Sequence, residues 1–121
     1  MIASDTAGIK LFVRNKRRAD VTGFSSERTL LFVAGSTYPA STSFDLPLAG
    51  VSWMDHLAGE GYDTWLVDIR GYGNSTRPPE MAAPAADNEP IVRTPVSLCD
   101  IATAVASIRA RRSVDKINLI G

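Results

Sequence analysis

The sequence has one cysteine and one histidine, and this scarcity excludes several kinds of site. Because Cys99 has no second cysteine to pair with, no internal disulfide can form, and we expect a reducing compartment, the cytoplasm. A single Cys and a single His at unrelated positions cannot supply the ligands of a metal cluster, so no metal site is predicted. The formal net charge is zero, so no long-range field attracts nucleic acid or an anionic membrane.

The sequence also lacks any long hydrophobic run. No stretch approaches the ~20 apolar residues that a transmembrane helix needs, and residues 1–5 lack the basic start and apolar core of a signal peptide. The length of 121 residues is enough for one small domain. We therefore interpret residues 1–121 as a single α/β domain with no membrane or nucleic-acid partner.

Short apolar runs predict the strands. Residues 1–16 are typical of a hairpin whose turn lies at residues 5–8. Residues 29–33 and 63–68 are short runs of the kind that buried strands show. Residues 116–121 predict a last strand of the same type.

Two helices are predicted between these strands. Ser52 is a good N-cap for a short helix with Trp53, Leu57 and Met54 on one face. A longer helix is predicted to begin with Thr94 as N-cap and Pro95 at its first position. Its apolar residues recur at steps of three and four, which predicts one buried stripe with Cys99 packed beside it, formed by Leu98, Ile101, Val105 and Ile108.

The order of these elements predicts the fold class. Strand, helix, strand, helix, strand implies right-handed crossovers and a mostly parallel sheet with helices on its faces, preceded by an antiparallel hairpin. Residues 41–51 are interpreted as irregular, and residues 78–90, rich in Pro and Ala, as a long surface loop. In such sheets ligands bind at the carboxyl ends of the strands.

The most informative motif follows the strand over residues 63–68. It reads D-x-R-G-x-G-x-S-x-x-P and spans residues 68–78. Two glycines flank a tyrosine, which indicates a conformationally demanding turn at the carboxyl end of a buried strand. We assign structural roles in this turn, through hydrogen bonds and a salt bridge, to Asp68, Arg70, Gly71, Gly73 and Ser75.

This motif, together with the order of elements around it, resembles the α/β-hydrolase fold family. The resemblance covers nearly the whole chain and implies a serine-type hydrolase that acts on a small ester or similar acyl substrate without a cofactor. Esterases, dehalogenases, epoxide hydrolases and some non-hydrolytic members share this N-terminal portion, so the reaction within the family stays open.

The end of the sequence resembles the strand that enters the family's nucleophile elbow, G-x-S-x-G, with Gly121 as the first elbow glycine. The resemblance then implies that nucleophile, acid and histidine all lie beyond Gly121. We expect the chain to be the N-terminal portion of a hydrolase, with no catalytic residue of its own and no activity alone. The alternative is a non-catalytic assembly module that a separate C-terminal chain completes.

The resemblance also implies an oxyanion hole after the strand over residues 29–33. Family members often carry His-Gly there, and the next backbone N–H donates to the oxyanion; here Ala34 replaces the His before Gly35. We assign the donor to Ser36, with Thr37 as its neighbour. An ordinary turn of small residues is the alternative interpretation.

Four residues that suggest a catalytic or cofactor-binding role receive other interpretations. His56 is expected at the surface or in packing, because the family's catalytic His lies far downstream. Ser75 is expected to stabilise the turn, because no G-x-S-x-G surrounds it. Gly71 and Gly73 do not form a dinucleotide fingerprint, because Thr76 stands at the third glycine position and no helix opens there. From their positions alone, Tyr38, Tyr72 and the loop over residues 78–90 are candidates for the mouth of a substrate pocket.

Overall fold

A computed structural model describes residues 1–121. Five strands form one sheet in the order β1-β2-β4-β3-β5. The strands are β1 (Ile2–Ala3), β2 (Lys10–Lys16), β3 (Thr29–Val33), β4 (Asp63–Asp68) and β5 (Asn118–Ile120). The helices are α1 (Ala40–Ser43), α2 (Trp53–Gly59) and α3 (Thr94–Arg112), with 3-10 turns at Ser26–Arg28, Pro79–Ala82 and Ala85–Asp87.

The strand pairing confirms the predicted mixed sheet. The β1–β2 hairpin is antiparallel, and β2 pairs antiparallel with β4. In contrast, β3 pairs in parallel with β4 on one side and with β5 on the other. As a result β3 and β4 are central, β5 lies at one edge of the sheet, and the carboxyl ends of β3, β4 and β5 meet at the same rim.

The sheet buries a different set of side chains on each face. Because successive strand residues point to opposite faces, Leu31 and Trp65 belong to one core, whereas Phe32 and Leu66 belong to the other. The first core is covered by α3 through Ala104 and Ile108; the second is covered by Ala40 and Met54, from α1 and α2. Each fully buried Leu, Ile or Phe side chain contributes about 1.5–3 kcal/mol relative to an exposed one.

The short helix α2 begins as predicted. The Ser52 hydroxyl accepts from the Asp55 N–H at 3.0 Å, and the Asp55 carboxylate accepts from the Ser52 N–H at 3.0 Å, a reciprocal capping box. Hydrogen bonds from Lys16 and from the Ser52 backbone lower the pKa of Asp55 to about 2. The predicted apolar face was partly wrong: Met54 is buried, but Trp53 is 49% exposed, with its ring beside those of Phe32 and Phe44. Residues 41–51 are also not wholly irregular, since α1 reaches Ser43.

The start and buried face of α3 differ from the prediction. Arg93 is the N-cap and Thr94 the first helical residue, so the Thr94 side chain caps nothing and Pro95 moves to the second position. Leu98 and Cys99 are exposed. The face that is buried centres on Asp100, Ala104 and Ile108, with the predicted Ile101 and Val105 partly buried beside it. The helix is therefore rotated towards Asp100 and the small Ala104.

A buried ion pair explains this rotation. The Asp100 carboxylate accepts from Arg70 Nη2 at 2.6 Å, from Arg70 Nε at 3.0 Å and from the Arg70 backbone N–H at 3.0 Å. Arg70 also donates to the hydroxyls of Ser4 and Thr6 in the β1–β2 turn, each at 2.9 Å. The side chain of Arg70 thus joins three elements: the hairpin turn, the end of β4 and α3.

A second ion pair fixes the other end of α3. Arg112 Nε donates to Asp63 Oδ2 at 2.7 Å, and Arg112 Nη2 donates to Asp63 Oδ1 at 3.0 Å. The guanidinium lies over the Trp65 ring at 4.7 Å, and the Trp65 indole N–H donates to the same carboxylate. Asp63 begins β4 and Arg70 closely follows its end, so the two anchors of α3 lie at opposite ends of one strand. None of the helices has the length and apolarity needed to span a bilayer.

Removal of one partner of the Arg70–Asp100 pair should destabilise the fold strongly. We expect Asp100→Ala to lower the free energy of unfolding by about 3–5 kcal/mol, because it leaves the Arg70 charge buried without its partner. The double variant Arg70→Met/Asp100→Leu removes both charges and should recover most of that loss. Urea denaturation followed by circular dichroism measures both changes.

The control is the exposed Arg18–Asp20 pair, whose side chains are mostly solvated. Asp20→Ala should leave the urea midpoint unchanged. A loss in Asp100→Ala no larger than that in Asp20→Ala would contradict a stabilising role for the buried pair.

Candidate functional site

A cleft lies at the rim where β3 and β4 end. Its volume is about 230 Å³ and its lining is mainly apolar. Its walls come from the turn after β3, from the end of β4 and from the first two turns of α3: Val33, Ala34, Gly35, Ser36, Tyr38, Ala40, Val67, Ile69, Tyr72, Val92, Thr94, Ser97, Leu98 and Ile101. Tyr38 and Tyr72 line this cleft as predicted, whereas no residue of the loop over residues 78–90 does, so that part of the prediction was wrong.

The turns that frame the cleft are joined by the carboxylate of Asp68. It accepts from the Ser41 N–H and the Ser41 hydroxyl, each at 2.9 Å, and from the Asn74 N–H at 3.1 Å. Asp68 is fully buried at the end of β4. A buried carboxylate without hydrogen-bond partners would destabilise the fold by several kcal/mol. Ser41 and Asn74 must therefore stay within hydrogen-bonding distance of Asp68. One side chain therefore fixes the loop after β3 relative to the turn after β4.

Two glycines allow the turn after β4 to close on its neighbours. Gly73 has φ +51°, and a Cβ at this position would lie 2.1 Å from the Asp68 carboxylate oxygen Oδ2. Gly71 has φ +84°, and a Cβ there would lie 2.7 Å from the Met81 sulfur. Both positions combine a left-handed backbone with a close approach, which only glycine accepts without strain.

Ser75 and Thr76 tie the same turn to β2. The Ser75 hydroxyl accepts from the Phe12 N–H at 2.8 Å and donates to the Asp68 carbonyl. Thr76 exchanges two hydrogen bonds with Lys10, one through its hydroxyl and one through its backbone N–H. The Ser75 hydroxyl is thus fully engaged within the turn.

The roles of Arg70 and Asp68 are separate. The two side chains do not pair with each other; the salt bridge of Arg70 is made with Asp100. Hydrogen bonding to Asp100 raises the pKa of Arg70 above its ordinary value, against the opposing effect of burial. Arg70 therefore holds the turn through α3 and does not line the cleft. The cleft lining contains no acidic residue, lysine, arginine or histidine.

The predicted oxyanion turn lies at residues 34–37, on the rim of the cleft. Gly35 and Ser36 line the cleft, whereas Thr37 does not. The backbone N–H groups of Ser36 and Thr37 donate to no acceptor within the chain. The Tyr72 hydroxyl donates to the Ser36 carbonyl. Because a trans peptide directs its C=O and N–H in opposite directions, this contact turns the Thr37 N–H away from Tyr72. Of the two candidate donors, Ser36 is the one that lines the cleft.

The remaining candidates lie apart from the cleft, with one exception. Gly121 follows β5 directly, and a Cβ there would lie 3.3 Å from the Val33 carbonyl, so Gly121 sits beside the end of β3. His56 is exposed on α2, and Cys99 is exposed on α3. No group of three His, Cys, Asp or Glu side chains comes close enough to hold a metal ion.

Sequence reasoning missed several residues of this site. Ser41 supplies two of the donors to Asp68, although nothing in its neighbours distinguishes it. Asp100 interrupts an apolar helix pattern, and that interruption was the available signal for a buried partner. Leu98 was assigned to the core, and only the tertiary structure shows that it lines the cleft.

Comparison with known proteins adds one positive finding. A family model described as the alpha/beta hydrolase fold matches residues 31–121. The matched range begins inside β3 and includes the turn at residues 34–37, the motif over residues 68–78 and β5. No curated protein matches the chain.

The close approach of Gly73 to Asp68 generates a prediction. We expect Gly73→Ala to lower the free energy of unfolding by at least about 2 kcal/mol, because it combines a left-handed φ with displacement of the Asp68 carboxylate. Chemical denaturation of the purified variant measures the loss.

Gly59→Ala is the matched control. Gly59 ends α2 without a positive φ and has open space around its Cβ direction. Alanine there should be neutral or stabilising by up to about 1 kcal/mol. Equal stability of the two alanine variants would show that the Asp68 contact does not constrain position 73.

Proposed function

The chain belongs to the α/β-hydrolase fold family, and we propose that residues 1–121 provide the scaffold and an oxyanion-stabilising amide of a serine-type hydrolase. The substrate is a small molecule with an ester or similar acyl bond. The observation that carries the proposal is the unpaired Ser36 N–H on the rim of an apolar cleft, at the carboxyl end of a central parallel strand.

The mechanism assigns the chain a defined share of the reaction. An activated serine attacks the acyl carbonyl, negative charge develops on the carbonyl oxygen, and water later hydrolyses the acyl-enzyme. The Ser36 N–H donates to that developing charge. A preorganised donor of this kind lowers the barrier by roughly 3 kcal/mol. No cofactor takes part.

We place the nucleophile, the acid and the histidine of this reaction outside residues 1–121. The cleft offers the hydroxyls of Ser36 and Ser97 but no histidine or carboxylate beside them, and His56 lies exposed on α2. A serine without a base is a weak nucleophile at neutral pH. Because Cys99 is exposed and unpaired, we propose that the protein works in a reducing compartment, the cytoplasm.

The second candidate is a non-catalytic module that a C-terminal partner chain completes. One observation favours it: β5 is an edge strand, and Leu119 on it is 56% exposed on the sheet face that α3 covers elsewhere. An uncovered apolar residue on an open strand edge invites pairing with another chain. In this case the turn at residues 34–37 needs no affinity for an anion.

An anion titration separates the two candidates. Methylphosphonate is a tetrahedral anion that resembles the intermediate of acyl transfer, and we expect it to shift the Ser36 amide proton saturably in ¹H–¹⁵N NMR spectra. Ser36→Pro removes the N–H and should abolish binding, whereas Ser36→Ala keeps the N–H and should bind like the parent chain. Absence of a shift at Ser36, or unchanged binding in Ser36→Pro, would favour the assembly module.

A turnover assay tests the proposal that residues 1–121 contain no working nucleophile. We expect the 121-residue chain to hydrolyse p-nitrophenyl acetate no faster than an equal concentration of the Ser36→Ala/Ser97→Ala variant, because neither cleft serine has a base beside it. Rapid turnover that a serine-directed inhibitor blocks would instead place a working nucleophile inside this chain.

A further inference from the structure

The cleft wall contains an apolar side chain whose exposure the fold does not explain. Leu98 is 58% exposed on α3, yet it lies in the cleft lining next to Ile101, one turn further along the helix. The exposed residue next to it in the chain, Cys99, is small. A large apolar residue held open beside a cavity gains its burial when an apolar ligand fills the cavity.

The electrostatics of the cleft restrict the ligand further. No ionised side chain lines the cleft, and its polar side chains are hydroxyls: Ser36, Tyr38, Tyr72, Thr94 and Ser97. An ionised group taken from water into the apolar part of the cleft, against Leu98 and Ile101, loses solvation that no charged partner there replaces. The tail of the ligand must therefore be uncharged.

The volume of the cleft limits the length of the ligand. At about 30 Å³ for each water-sized group, 230 Å³ holds on the order of seven or eight non-hydrogen atoms. This is below the ~300–1,000 Å³ of sites for drug-sized ligands. Acyl groups with more non-hydrogen atoms than this would extend out of the rim into water.

We infer that the cleft binds a short, uncharged aliphatic acyl chain, with its carbonyl at the turn of residues 34–37 and its tail against Leu98 and Ile101. Leu98 determines the preference for chain length. The inference rests on the proposed function for the placement of the carbonyl. The affinity for the tail comes from the cleft alone.

A series of methyl ketones tests this inference, since ketones carry the carbonyl and tail of an acyl substrate but are not hydrolysed. Ketones from 2-butanone to 2-decanone are titrated into the full chain and followed by ¹H–¹⁵N NMR. We expect affinity to rise about fourfold for each added methylene until the cleft is filled, near 2-hexanone or 2-heptanone, and then to level off. The shifted amides should belong to residues 33–36 and 97–101.

Two matched comparisons test the role of Leu98 and the requirement for an uncharged tail. Leu98→Ala should weaken binding of 2-hexanone at least tenfold and reduce the gain per methylene, whereas Leu119→Ala, an equally exposed leucine away from the cleft, should bind like the parent chain. The ligand 4-oxopentanoate resembles 2-pentanone with a carboxylate in place of the terminal methyl. It should bind more than tenfold more weakly.

Affinity that does not depend on chain length, or equal losses in Leu98→Ala and Leu119→Ala, would overturn the inference. Amide shifts confined to the exposed residues 46–51 and 53 would also overturn it, because binding would then occur at another apolar surface. The ketone series needs no anion binding at Ser36. Ketone binding with a silent methylphosphonate titration would therefore reject the proposed function and keep the apolar cleft, and the reverse pattern would reject only the inference.

Discussion

The arrangement of the cleft depends on the buried carboxylate of Asp68. Its two oxygens face donors from two different segments, Ser41 after β3 and Asn74 after β4. An anion buried at the end of a central strand is stable only while those donors stay in place. The loop that carries the Ser36 N–H therefore cannot move independently of the turn that carries Tyr72. Preorganisation of this kind is what an oxyanion donor requires, since its orientation must be set before charge develops.

Features that depend on neighbours in the sequence could be predicted from it. Residues 29–33 and 63–68 form strands because short apolar runs between turn-forming residues have few other ways to bury themselves. Ser52 caps α2 because Asp55, three residues on, completes the box. The motif over residues 68–78 located the rim of the cleft, since its two glycines show that the backbone there must take conformations closed to other residues.

Features that depend on partners distant in the sequence could not be predicted from it. The face of α3 is set by Asp100, whose partner Arg70 lies 30 residues earlier, so the apolar stripe alone placed Leu98 on the wrong side. The salt bridge predicted within the motif does not form, because Arg70 pairs with Asp100 and Asp5, which both lie outside the motif. The contact of Tyr72 with the Ser36 carbonyl spans 36 residues. No local pattern contains such pairings, because they arise only when the sheet brings the carboxyl ends of β3 and β4 to one rim.

The two anchors of α3 have a mechanical consequence. Asp100 and Arg112 hold the helix to opposite ends of β4, and the 12 helical steps between them span about 18 Å. The first six residues of the helix, 94–99, precede the ion pair at Asp100. Three of them, Thr94, Ser97 and Leu98, line the cleft. Their side chains can be exchanged without disturbing either anchor. The lining of the cleft and the anchorage of the fold thereby fall largely to different stretches of one helix, so side chains at the cleft can vary while both ion pairs stay in place.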